Sequence, residues 1–84
     1  MKKKSLEDFR RGIDLCDVRI AELLSQRLCI ARDIGKSRIK PSVCDPAREQ
    51  QVLANVKHSA SPEFAPFIEE IFKEIIKQSR KVQE

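Results

Sequence analysis

The feature that most constrains this chain is one continuous amphipathic stretch, from Leu6 to Arg38. Apolar or small residues recur in it at alternating steps of three and four, the period of one helix face. These seam residues are Leu6, Phe9, Ile13, Cys16, Ile20, Leu23, Ile30 and Ile34. A helix of about 33 residues is roughly 50 Å long, whereas a compact globule of 84 residues is only roughly 30 Å across. Because the rest of the chain cannot cover such a helix, the sequence predicts an interlocked homodimer.

One position of this seam holds a charge where an apolar residue is due. Arg27 lies between Leu23 and Ile30, and a guanidinium there is costly unless an anionic group meets it. Arg38 lies eleven residues further on, about 20° away around the helix, so it points the same way. Arg10 belongs to a neighbouring row of sevenfold spacing that also ends at Arg38. The period alone leaves two purely structural alternatives open for Arg27: its guanidinium snorkels to the surface, or it pairs with a carboxylate of another helix.

Capping signals divide the chain into three helices. Ser5 is a suitable N-cap for the first helix, which we expect to end near Arg38 or Ile39. Asp45 is an N-cap and Pro46 a first helical residue, so a second helix starts there and runs to about His58. The pattern predicts an all-α fold with a long, a short and a long helix.

The third helix carries Pro66 in its first turn and an apolar stripe that begins at Phe64. The stripe residues are Phe64, Phe67, Ile68, Ile71, Phe72, Ile75 and Ile76. Continued by one and two turns, the stripe reaches Ser79 and Gln83, two polar residues on an apolar face. A frayed, solvated helix end is the competing explanation for Gln83.

Composition narrows the class of protein. Residues 1–84 suffice for one domain, in which the basic residues 1–4 predict a disordered tail. The cysteine count is three, an odd number, and we find no signal peptide and no apolar run long enough to span a membrane. These features predict a reducing, cytoplasmic location. Cysteine spacing and the single His58 give no metal site.

The polar residues at or beside apolar faces define the candidate chemistry. They are Arg10, Arg27, Arg38, Arg48, Glu49, Ser79 and Gln83. Four are arginines, which bind carboxylates through two parallel hydrogen bonds and stay charged when buried. Such a cluster fits a small substrate with more than one carboxylate. Because the chain has no Cys–His or Ser–His arrangement and no Gly-rich phosphate loop, an enzyme built this way would hold the substrate's shape and stabilise developing charge.

Taken in order, these residues resemble the all-helical (AroQ-class) chorismate mutase family. The resemblance covers about Leu6 to Gln83. It rests on four segments: Arg10-x-x-Ile13-x-x-x-Asp17-x-x-Ile20-x-x-Leu23-Leu24-x-x-Arg27, Ile34-Gly35-Lys36, Asp45-Pro46-x-Arg48-Glu49 and Ile75-Ile76-x-x-Ser79-x-x-x-Gln83. The Asp45-Pro46-x-Arg48-Glu49 element and the first-helix pattern are each moderately specific, whereas all four segments in this order and at these spacings are strongly specific.

The resemblance implies a homodimer of intertwined three-helix chains, with two active sites that are each built from both chains. It implies an isomerase that needs no cofactor and rearranges chorismate to prephenate, on the shikimate route to Phe and Tyr. Each site residue then has an implied role. Arg10 reaches into the partner's site and grips a carboxylate, Arg27 holds the other face of the substrate, and Arg48 contributes to carboxylate binding. Glu49, with Asp45 close by, binds the ring hydroxyl. Ser79 assists carboxylate or backbone contacts, and Gln83 faces the ether oxygen.

The chain departs from the family at one position. The family usually has a Lys three residues after the glycine, where this chain has Arg38. That Lys contacts a carboxylate and the ether oxygen, so Arg38 takes its place in our prediction, with Lys36 and Lys40 as alternatives.

Other functions remain open at this point. Relatives of this fold cleave isochorismate or rearrange the 4-amino analogue of chorismate, but the intact Asp45, Arg48 and Glu49 element favours the plain mutase. A non-enzymatic basic module that binds nucleic acid would need its cations on an exposed face and aromatic residues for base stacking. The arginines lie on the seam instead, so we predict no nucleic-acid partner.

Overall fold

The computed structural model describes residues 3–37, 39 and 42–84. It contains three α-helices, α1 (Leu6–Ser37), α2 (Pro46–Ser59) and α3 (Ala65–Gln83), and no strand in the described residues. This confirms the predicted all-α architecture of a long, a short and a long helix. The first helix ends before the non-helical Ile39, and the second runs one residue beyond the predicted His58.

The helix starts agree with the capping signals. The Asp8 backbone amide donates to the Ser5 hydroxyl, and the Ser5 amide donates to the Asp8 carboxylate, which closes a capping box at α1. Asp45 accepts from the Arg48 amide at the start of α2, directly before Pro46. Phe64, where the apolar stripe begins, is the N-cap of α3, and the helix itself begins one residue later, at Ala65. Phe64 is exposed in the single chain, as are the stripe residues Phe67 and Ile71 within the helix.

Helix α3 is the central element, since it packs against both α1 and α2, whereas α1 and α2 do not pack on each other in the described part of the chain. Lys57 and Glu69 form an ion pair of 3.0 Å between α2 and α3. At the other end of α3, a Cβ on Gly35 would lie 2.5 Å from the carbonyl oxygen of Gln83. Gly35 therefore marks a close approach of α1 and α3, because a larger residue would not fit there without a shift of backbone.

The single chain exposes more surface to solvent than a compact chain of this length. Its Cα radius of gyration is 16.3 Å, against about 12 Å for a compact chain of this length. Its accessible surface is 7212 Å², whereas a folded monomer of this mass exposes about 5,100 Å². Among the described residues only Ala31, Ile76 and Ser79 are buried, and every residue from 3 to 23 is exposed.

In the part of the chain that the structure describes, no helix combines the length and the apolar composition needed to cross a bilayer.

Candidate active site

The three helices enclose an open cleft of about 450 Å³, a volume within the usual range for small-molecule sites. It lies beside the C-terminal end of α1, between the start of α2 and the end of α3. Its apolar walls are Ile30, Ala31, Ile34, Val43, Val52 and Ile76. Its polar lining consists of Arg27, Asp45, Arg48, Glu49, Ser79, Arg80 and Gln83. Six residues predicted from the sequence thus meet in one cleft, although they come from three helices.

Arg27 enters the cleft from α1 and is fixed by α3. Its Nη1 donates to the Ser79 hydroxyl over 2.5 Å, and that hydroxyl donates in turn to the Ile75 carbonyl over 2.8 Å. Ser79 is only 6% exposed, so the serine uses its proton within α3 and offers its oxygen to Arg27. Ser79 therefore orients the guanidinium. Of the two structural alternatives for Arg27, pairing with a carboxylate does not occur among the described residues, and the guanidinium is bound to the buried Ser79 rather than free at the surface.

A second cation, Arg48, faces the same cleft from the first turn of α2. Its Nη1 donates to the Gln51 side chain over 3.3 Å, and in the described residues neither Arg48 nor Arg27 forms an ion pair. Burial lowers the pKa of Arg27, and the nearby positive charge of Arg48 lowers it further. An arginine remains charged even so. The cleft therefore holds two neighbouring cations that an anionic ligand can neutralise.

Glu49 is the acidic group of the cleft that is not used as a helix cap. Its Oε1 lies 3.5 Å from Arg80 Nη1, and the two side chains are 23% and 36% exposed. Sequence reasoning missed Arg80 because a basic residue in the last turn of a helix has a simpler explanation in the helix dipole. The signal that could have found it is its position four residues after Ile76, on the stripe's edge.

Gln83 lines the cleft from the last helical residue of α3 and is half-buried. The close approach of its backbone to Gly35 sets its position. In this structure α3 continues through Gln83 and ends there.

The remaining predicted site residues are not in the cleft or cannot be located. Arg10 lies 17 residues before Arg27, about 26 Å along the same helix, and its side chain pairs with Glu7 over 3.4 Å. Arg10 therefore does not reach the cleft of its own chain. Arg38 and Lys40 lie outside the described residues. Lys36 is exposed and is not part of the cleft lining.

The described residues contain no cluster of three or more His, Cys, Asp or Glu side chains that could hold a metal ion. Beside the paired Glu49 and Arg80 and the capping Asp45, the cleft offers the two guanidiniums of Arg27 and Arg48, the amide of Gln83 and apolar walls. Such a set of groups can bind carboxylates at one side and an apolar ring between the walls.

Comparison with known proteins agrees with this geometry. The family model for chorismate mutase type II matches residues 9–84. Neither the comparison with curated proteins nor that with solved structures found a significant match. The match covers nearly the whole chain, so the protein belongs to the chorismate mutase type II family. Family membership supports an activity of the chorismate mutase type, which is an isomerisation.

Proposed function

We propose that this chain is a chorismate mutase, which rearranges chorismate to prephenate and spans residues 1–84 as one domain. The observation that carries the proposal is the pair Arg27 and Arg48, two cations that share one cleft with no ion pair in the described residues. A substrate with two carboxylates and an apolar ring matches that pair and the walls around it. The family match agrees with this substrate class.

The reaction breaks one C–O bond and forms one C–C bond within the same molecule, so no atom enters or leaves. The protein then needs no nucleophile and no proton carrier. Arg27 and Arg48 would hold the carboxylates so that the reacting carbons meet in a compact conformer. Charge that builds on the breaking ether oxygen would be stabilised by Gln83 and by Arg38. Glu49 would accept a hydrogen bond from the ring hydroxyl, beside Asp45.

The proposal includes a homodimer in which each site uses Arg10 of the other chain. Two observations support it: the first half of α1 is exposed along its whole length, and Arg10 lies about 26 Å from Arg27 along that helix. The accessible surface of the single chain exceeds that of a compact monomer by roughly 2,000 Å². A stable interface buries about 800 Å² of each partner. The excess surface is therefore large enough to form a stable interface with a second copy of the chain.

Incubation of the purified protein with chorismate tests the proposed reaction. We expect the absorbance of chorismate to fall and prephenate to be the product, with the rate unchanged after treatment with a chelator. A protein that leaves chorismate intact contradicts the proposal. Product analysis with isochorismate separates the mutase from a lyase, since release of pyruvate and salicylate at a higher kcat/KM would assign the lyase reaction instead.

A mixing experiment tests the shared site. Arg10→Ala and Arg27→Ala are each expected to be nearly inactive, because every site of either homodimer lacks one arginine. After joint unfolding and refolding in equal amounts, half of the dimers are mixed, and one of their two sites is intact. Activity should return to about a quarter of the wild-type value. If Arg10 acts within its own chain, mixing restores nothing.

A further inference from the structure

The pair Arg80 and Glu49 differs from the other charges of the cleft. Arg27 and Arg48 have no ion-pair partner in the described residues, whereas Arg80 Nη1 lies 3.5 Å from Glu49 Oε1. The same nitrogen lies 3.9 Å from the Cys44 sulfur, directly before the cap of α2. Arg80 therefore contacts the start of α2, and its positive charge is paired with the carboxylate of Glu49.

The pair also has a particular location. Glu49 and Arg80 line the cleft on one side and, on the other, a smaller hollow between α2 and α3. They form the wall between these two spaces together with Ile76. Without Arg80, the Glu49 carboxylate could turn towards either space, so the ion pair restricts the direction in which it accepts hydrogen bonds.

We propose that Arg80 is a positioning and specificity residue, which holds Glu49 towards the substrate and makes the site select a ring hydroxyl over a charged amino group. This inference rests on the proposed function, in which Glu49 contacts the ring hydroxyl of the substrate. It concerns Arg80, to which the proposed function gives no role.

The physical reason is the balance of charge at one position of the ring. A lone carboxylate attracts an ammonium group more strongly than a neutral hydroxyl, because it forms an ion pair as well as a hydrogen bond. With Arg80 beside it, the pair has no net charge, and the guanidinium repels a second cation. A hydroxyl keeps its hydrogen bond to Glu49 in either case. Arg80 thus removes the advantage that an amino substituent, protonated near neutral pH, would otherwise have.

The test compares kcat/KM for chorismate and for its 4-amino analogue. In Arg80→Gln, the ratio of the amino compound to the hydroxyl compound should rise on the order of tenfold, since one charge near the substituent is lost in a partly exposed site. Arg80→Lys keeps the charge and should restore a ratio close to wild type. The matched control is Lys77→Gln, which removes one positive charge from an exposed position of the same helix outside the cleft lining.

Glu49→Gln provides a second arm that does not depend on the folding of Arg80→Gln. It leaves the cation of Arg80 unopposed, so the ratio should fall below the wild-type value. A ratio at or above wild type overturns the inference. So does an equal loss for both compounds in Arg80→Gln, which would mean that Arg80 only holds a carboxylate or supports the fold.

A wild-type protein that turns over chorismate while the ratio of the two kcat/KM values does not change in Arg80→Gln overturns the inference alone. A wild-type protein inactive on both compounds overturns the proposed function and the inference with it.

Discussion

Residues 24–37 of α1 lie beside α3 and contribute Arg27, Ile30, Ala31 and Ile34 to the cleft, whereas every residue from 6 to 23 of the same helix is exposed. The apolar period does not change between the two halves. The seam residues Leu6, Ile13 and Leu23 are 62%, 59% and 63% exposed. In the second half the seam residue Ile30 is also 62% exposed, whereas Arg27 and Ile34 are half-buried and Ala31 is buried. The difference shows that the apolar period predicts an amphipathic helix, but does not predict which chain packs against its apolar face. In our proposal, the second half serves its own site and the first half serves the partner's.

The two glycines of α1 show the same contrast. A Cβ added at Gly12, in the first half, would meet nothing within 4 Å beyond the adjacent residues and backbone of its own helix. A Cβ added at Gly35, in the second half, would lie 2.5 Å from the Gln83 carbonyl oxygen. One glycine is thus a tolerated weak helix former, and the other is required by the packing that positions the cleft.

The largest effect should follow from Arg27→Ala, in the covered half. It removes a fixed cation from the cleft, and we expect kcat/KM for chorismate to fall about 10²- to 10³-fold. Arg32→Ala is the matched control, since Arg32 lies on the same half of α1, is exposed and does not line the cleft. Steady-state kinetics measures both. Equal rates in the two variants would show that the site is elsewhere.

In the uncovered half, Ile13→Glu should break the proposed dimer. It places a charge on the seam, and we expect the dimer dissociation constant to rise on the order of 100-fold. Val18→Glu makes the same kind of change five residues on, about 140° around the helix, and should leave the dimer intact. Sedimentation velocity over a range of concentrations distinguishes the two. Equal behaviour of both variants would mean that the seam is not the interface.

A smaller effect is expected from Gly35→Ala, because the added methyl group forces apart the ends of α1 and α3. The free energy of unfolding should fall by about 1–3 kcal/mol, and kcat should fall with it as Gln83 moves. Gly12→Ala should instead raise the free energy of unfolding by up to about 1 kcal/mol and leave kcat unchanged. Urea unfolding followed by circular dichroism, with kinetics alongside, measures both. A loss of stability in Gly12→Ala would place the partner chain against this glycine.

The smallest effect should follow from Ser79→Ala, which removes the hydrogen-bond acceptor of Arg27 but keeps the arginine. One such hydrogen bond contributes about 1 kcal/mol, so kcat/KM should fall about fivefold. The control is Ser25→Ala on α1, since the Ser25 hydroxyl also donates to the carbonyl four residues before it. A Ser79→Ala variant as active as Ser25→Ala would show that Arg27 keeps its orientation without this serine.

Much of the fold follows from local signals in the sequence. The starts of α1 and α2 are set by Ser5 and Asp45, whose side chains satisfy backbone amides within three residues. The polar positions on apolar faces, such as Arg27 and Ser79, are also visible in the sequence, because the helical period fixes the direction of each side chain relative to its own helix.

Tertiary structure decided how those positions meet. Arg27 and Ser79 are 52 residues apart, and whether one bonds to the other depends on how α1 and α3 are rotated and how close they come. The same holds for the contact of Gly35 with Gln83 and for the pairing of Arg80 with Glu49. A helical period gives the face of a residue within one helix, but not the distance between two helices. The sequence therefore determined three amphipathic helices with charges on their inner faces, and the packing of α3 decided that these charges share one cleft.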